Sequence, residues 1–144
     1  MEIRQARTEE EVRACAPVLA QLRPRYSQDD LVARVLRQQA GGYRLAMLVD
    51  AGRVAAVAGY RLGENLAWGR HLYVDDLVTD AALRSRGHGG RLLDWLVRAA
   101  EEAGCAELHL DSGVQRFAAH RFYLAGRMEI TSHHFRIELP ARPR

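Results

Sequence analysis

Eight residues, Arg84-Ser85-Arg86-Gly87-His88-Gly89-Gly90-Arg91, constrain this chain more than any other stretch. A strand-like run, residues 71–79, precedes them, and an amphipathic helical pattern, 92–103, follows. The glycines therefore sit at a strand-to-helix turn, where the first backbone N–H groups of a helix have no partner inside it. Those donors, with the positive end of the helix dipole, favour an anion. Lacking a Cβ, Gly87 and Gly89 permit positive φ and a close approach of backbone to ligand. Arg84, Arg86 and Arg91 add guanidinium groups suited to phosphate oxygens. The combination predicts a pyrophosphate cradle. A plainer reading, an arginine-rich loop with glycines for a tight turn, uses the same residues without a ligand. A P-loop does not fit, because it needs Gly-Lys-Ser/Thr and the chain has no lysine. Nor does the dinucleotide fingerprint G-x-G-x-x-G, since the glycines here read G-x-G-G.

All 21 basic residues are arginine, and the net charge is +3. The excess suits an anionic cofactor, but no segment is basic enough to predict nucleic-acid binding. At 144 residues the chain reads as one domain spanning 1–144. Met1-Glu2-Ile3-Arg4 does not read as a signal peptide, and no apolar run approaches a membrane span. Cys15 and Cys105 lack C-x-x-C spacing, which suits a reducing compartment, so a cytoplasmic location is expected. His71, His88, His109, His133 and His134 stand at no metal-ligand spacing, and no metal is expected.

Taken in order, residues 2–6 read as a first strand. Thr8 with Glu11 three residues on reads as a capping box opening a helix over 9–22. Ser27 starts a second helix, closed by Gly41-Gly42. Strands over 43–49 and 54–61 flank the turn Asp50-Ala51-Gly52-Arg53, and Gly63-Glu64-Asn65 reads as the next turn. A strand over 69–79, the cradle, a third helix, a strand over 107–111, a fourth helix over 115–125 and a final strand pair over 128–139 complete the chain. This β–α–α–β–β–β–α–β–α–β order predicts an α/β chain (α+β type) with a mixed sheet.

Two carboxylates, Asp75 and Asp76, interrupt the apolar strand between Leu72-Tyr73-Val74 and Leu77-Val78. Charges there are costly unless paired or near water. Strand alternation predicts that they point to opposite faces. They read either as a substrate-handling pair or as salt-bridge partners of arginines.

Arg84-x-x-Gly87-x-Gly89, between a strand and a helix, resembles the acyl-CoA signature of the GNAT family of N-acetyltransferases. The likeness in element order covers nearly the whole chain and is firmest over 71–126. The resemblance implies a mixed central sheet of six to seven strands flanked by about four helices, with strands 4 and 5 splayed. It implies acetyl-CoA as cosubstrate, held by residues 84–91 and by the backbone of Leu77, Val78 and Thr79. Tyr123, in His120-Arg121-Phe122-Tyr123, matches the family's tyrosine that protonates the departing thiolate. A phenol near pKa 10 still holds its proton at neutral pH. Asp75-Asp76 is similar to an acidic pair of the diamine (spermidine/spermine) acetyltransferases, which attracts or deprotonates the amine. The family's Gly-Phe after the tyrosine reads Gly126-Arg127 here, and Arg116 stands where an asparagine is frequent. By resemblance the chain is expected to be an enzyme that acetylates a small-molecule primary amine without a metal, and to pair into homodimers. Alternatives are a non-catalytic acyl-CoA sensor and an acetyltransferase of protein N-termini or lysines.

Overall fold

The computed structural model describes residues 1–141, which divide into one compact unit over Met1–Leu110 and a second from Asp111 onward. The first unit holds five strands: β1 (Glu2–Gln5), β2 (Arg44–Asp50), β3 (Arg53–Asn65), β4 (Gly69–Thr79) and β5 (Glu107–Leu110). It also holds three helices: α1 (Glu9–Leu22), α2 (Gln28–Gln39) and α3 (His88–Glu102). The strands lie in chain order across the sheet. Neighbours are antiparallel except β4 and β5, which run parallel and so require the α3 crossover between them.

Local chemistry sets most boundaries. Thr8 and Glu11 form the expected capping box, each side chain accepting the other's backbone N–H. Ser27 caps α2 by accepting the N–H of Asp30. Ala51 and Gly52 both adopt positive φ, as a two-residue hairpin requires. The next turn lies later than the glycine at 63 suggests. β3 runs on to Asn65, whose side chain accepts the Trp68 N–H at 2.7 Å and closes the hairpin to β4.

The sheet carries a core on each face. Cys15, Leu19, Leu31, Val35, Tyr43, Leu45, Met47 and Val57 join α1 and α2 to one side. Ala46, Leu48, Ala56, Ala58, Tyr60, Leu72, Val74, Leu92 and Leu96 join α3 to the other. β3 is buried from Ala55 to Tyr60, as its run of small apolar residues predicts. Burial pushes the Cys15 thiol up to about 12, so it packs as an inert apolar group.

The second unit contains α4 (Phe117–Ala125) followed by a segment without regular secondary structure to residue 141. Two expectations need correction here. The described sheet has five strands, not six to seven, and residues 128–139 form no strand pair. The alternation of Phe135, Ile137 and Leu139 expresses a preference for extended backbone, whereas a strand also needs a partner's ladder. These side chains are 80–91% exposed. No helix among the described residues is long and apolar enough to cross a membrane.

Candidate functional site

The strand before the cradle is irregular at one point. Val74 pairs with Tyr60 and Asp76 with Gly59, so Asp75 is an extra residue on β4, a β-bulge. The bulge breaks the alternation on which opposite faces for the two acids rested. Val74 and Leu77, three residues apart, both pack on the α3 side, while Val78 packs on the α1–α2 side. Asp75 and Asp76 consequently enter one network instead of two faces.

In that network Asp76 Oδ1 accepts from Arg23 Nε at 3.0 Å and Nη2 at 2.8 Å, and Oδ2 accepts the Tyr43 hydroxyl at 2.8 Å. Asp75 Oδ2 accepts from Arg61 Nε at 2.9 Å, and Arg61 Nη2 donates to Gln38 at 2.6 Å. The Arg61 guanidinium lies 5.2 Å from the Tyr43 ring centroid, linking the two halves. Burial, then the charge of Asp76, pushes the Tyr43 phenol far above its usual range, so it serves as a neutral donor. Both acids are thus salt-bridged to arginines. They differ in what remains: both oxygens of Asp76 are engaged, whereas Asp75 Oδ1 carries no hydrogen bond among the described residues.

Tyr43, Arg23, Arg61 and Gln38 stand far from Asp75 and Asp76 in sequence, and no spacing flagged them. One signal was present. Gly59, a glycine inside a strand, marks a bulge or a close approach. A Cβ there would overlap the Tyr43 hydroxyl and ring, so its absence lets the phenol cross β3 to reach Asp76.

The β4–β5 ladder ends beside the bulge. It runs from His71–Glu107 to Val74–Leu110 and stops, while β4 continues to Thr79. Beyond Val74 the far edge of β4, including the backbone of Leu77, Val78 and Thr79, has no strand partner among the described residues.

After Thr79 comes Asp80, which accepts from the Ala82 N–H at 3.0 Å, Gln21 at 3.2 Å and Arg53 at 2.7 Å. A single 3₁₀ turn, Ala81–Leu83, then leads into the glycine segment. Ser85 adopts φ 66° and Gly87 φ 80°. Gly87 is the N-cap of α3 and offers no side-chain cap, so the first-turn amides are left for another acceptor. A Cβ added at Gly87 or Gly90 would meet no heavy atom within 4 Å. Arg84, Arg86 and Arg91 are exposed and pair with no carboxylate among the described residues. Open space over glycines, unclaimed amides and guanidinium groups free of carboxylate partners, Arg91 donating only to the Met1 sulfur at 3.4 Å, fit a pyrophosphate.

His88 departs from its assignment to the cradle. Its side chain is 2% exposed and turned inward, with Nε2 3.1 Å from Asp50 and Nδ1 3.3 Å from the Leu83 carbonyl. Only its backbone N–H belongs to the glycine turn. The helix starts at His88 rather than near Leu92, which puts Gly89, Gly90 and Arg91 in its first turn.

Tyr123 lies in the second unit, on α4, half-buried and edge-on to Phe122 at 5.4 Å. Burial raises its phenol above the ordinary 10, and the Arg116 charge partly offsets this. The Arg127 N–H bonds to the Leu124 carbonyl and the Met128 N–H to that of Tyr123, ending α4 in a Schellman arrangement. Arg127, at φ 67°, takes the left-handed position usually given to glycine. No cluster of His, Cys, Asp and Glu suited to a metal occurs among the described residues.

Comparison with known proteins agrees with this geometry. Residues 5–126 match the acetyltransferase (GNAT) family. A Bacillus subtilis (strain 168) protein described as the uncharacterized N-acetyltransferase YhdJ is 34% identical over 122 residues, 84% of this chain and 86% of that protein. Among solved structures, the aminoglycoside N-acetyltransferase AAC(6')-Iy in complex with CoA superposes with a TM-score of 0.84, covering 97% of this chain and 95% of that one at 17% identity. The ribosomal-protein-alanine N-acetyltransferase of Brucella melitensis biovar Abortus 2308 gives 0.83 over 96% and 100% at 18% identity. At such identities the two structures speak for the fold alone.

Proposed function

The chain belongs to the acetyltransferase (GNAT) family, and on that premise we propose that it moves the acetyl group of acetyl-CoA to a primary amine of a small molecule. The observation that carries this reading is the junction of the unpaired β4 edge beyond Val74 with an uncapped, glycine-opened helix flanked by arginines that pair with no carboxylate among the described residues. The amides of residues 88–90 and the guanidinium groups of Arg84, Arg86 and Arg91 would hold the pyrophosphate. The free backbone edge from Leu77 to Thr79 would hold the pantetheine amides and the acyl carbonyl.

The transfer then needs little from side chains. A neutral amine attacks the thioester carbon, the carbon–sulfur bond breaks, and the thiolate takes a proton while the amine loses one. Tyr123 would supply the thiolate's proton. Asp75 would draw the incoming ammonium through its unengaged Oδ1 and accept a proton from it, directly or through water. Asp76, fully engaged, would instead hold the bulge in shape.

The test is thiol release from acetyl-CoA over a panel of polyamines, aminoglycosides, amino acids and peptide N-termini. Turnover of at least one small amine is expected. CoA binding with no turnover on any acceptor would favour the sensor reading. Turnover confined to peptides would move the acceptor class to proteins.

A further inference from the structure

Nothing in the transfer uses the imidazole of His88, although the ring is buried and both its nitrogens face oxygens. Nδ1 lies 3.3 Å from the Leu83 carbonyl and Nε2 3.1 Å from an Asp50 carboxylate oxygen. Both oxygens only accept hydrogen bonds, and a neutral imidazole has one N–H to give. In either neutral tautomer a lone pair would face an oxygen where water does not reach, which is the costly arrangement. The imidazolium donates to both. We propose that His88 is a positioning residue of the pyrophosphate cradle: as an imidazolium donating from both nitrogens it holds residues 83–88 in their anion-binding shape, so that binding at the turn is linked to its proton. The inference rests on the reading of residues 84–91 as that cradle.

The loop that the ring spans has few ties of its own. Among the described residues no amide of Arg84, Ser85, Arg86 or Gly87 donates to a backbone carbonyl. Ser85 nonetheless sits at φ 66°, which a non-glycine residue keeps only where its surroundings impose it. The contact with Leu83 joins the two ends of this loop, and that with Asp50 ties them to the end of β2. Charge acts in the same sense. With its proton the ring forms a neutral pair with Asp50; without it the carboxylate leaves a net negative charge one side chain away from the turn, which disfavours an anion there. Asp50 is the one charged group paired with the ring among the described residues. On the elements around it Asp80 is paired with Arg53 and Glu2 with Arg4, while Arg84, Arg86 and Arg91 belong to the cradle itself. By reciprocity, a bound pyrophosphate favours retention of the proton.

The experiment is calorimetric binding of acetyl-3′-dephospho-CoA to the full chain across pH. Its pyrophosphate diester keeps one charge between about pH 5.5 and 8.5, whereas the 3′-phosphate of acetyl-CoA itself titrates near 6. The Kd should rise at least about fivefold over that window, the low end of coupling between sites. His88→Gln should bind more weakly at the acid end and lose the slope. Asp50→Asn, lacking the carboxylate that favours the imidazolium, should move the rise to lower pH. In the parent complex at about pH 6, nitrogen NMR should find both ring nitrogens of His88 protonated, a readout that needs no variant. A ring with one protonated nitrogen, a Kd flat with pH, or a His88→Gln chain that keeps the parent slope overturns the proposal and leaves the cradle reading standing. No binding of the probe or of acetyl-CoA at any pH overturns the cradle reading and this inference with it.

Discussion

As the proposed proton donor, Tyr123 would have to keep its proton until the carbon–sulfur bond opens, and its environment favours that: burial disfavours the phenolate more than Arg116 stabilises it. Tyr123→Phe should lower kcat by roughly 10²–10⁴-fold with little change in acetyl-CoA affinity. The parent rate should fall only above the ordinary phenol pKa of 10, because the group's own is raised, and the variant should lack that limb. Steady-state kinetics across pH, with CoA binding measured alongside, decide it; an unchanged rate and profile would make Tyr123 a packing residue. The two acids should separate for a reason alternation did not supply. Asp76→Asn leaves Arg23 and Tyr43 facing an amide and should cost about 1–2 kcal/mol in chemical denaturation. Asp75→Asn should be nearly neutral for stability but raise the amine KM. Equal effects on KM would remove the distinction. The sequence made the pair visible as charges in an apolar strand. It hid their common face, because the bulge arises from pairing between β3 and β4 and not from residues 75 and 76 themselves.

Elements whose ends are fixed within a few residues were legible: the Thr8 capping box, the Ser27 start of α2, the Asp50–Arg53 turn. Elements that depend on a distant partner were not. Residues 128–139 read as a final strand pair and form none, since nothing local says where a ladder comes from. The cradle combines both kinds. Its helix start is local chemistry, whereas the burial of His88 depends on Asp50, 38 residues away. Gly89 tests this element. It sits in the first turn of α3 without positive φ, so an aspartate fits the backbone and even favours the helix dipole. Gly89→Asp should therefore fold as stably as the parent and lose the acetyl-CoA thermal shift, which at a hundredfold excess over Kd is worth about 2.7 kcal/mol. A full shift in the variant would mean that phosphate binds elsewhere.

Over the Met1–Leu110 unit, Asp80 ties the end of β4 to α1 through Gln21 and to β3 through Arg53 and the Ala55 carbonyl. The Ala82 N–H above all, then Gln21 and Arg53, holds this carboxyl below its usual value. A depressed folded-state pKa stabilises above the unfolded value and loses that contribution as pH falls through the folded one. Melting temperature should therefore drop as pH falls below about 4. Asp80→Asn should melt lower at pH 7 and fall less steeply in acid. An identical slope in the variant would assign the acid transition to other carboxyls.

The glycine opposite the bulge has a historical consequence. With a phenol lying across position 59, no lineage of this fold can acquire a side chain there in one step without displacing a buried ring. It must first give up Tyr43, and with it the hydroxyl that Asp76 accepts. Substitutions at 43, 59 and 76 are accordingly ordered in time. Gly59→Ala should be severely destabilising in the parent and far milder in a Tyr43→Leu background, a non-additivity that a double-mutant cycle measures. Relatives with a side chain at 59 should lack the tyrosine at 43.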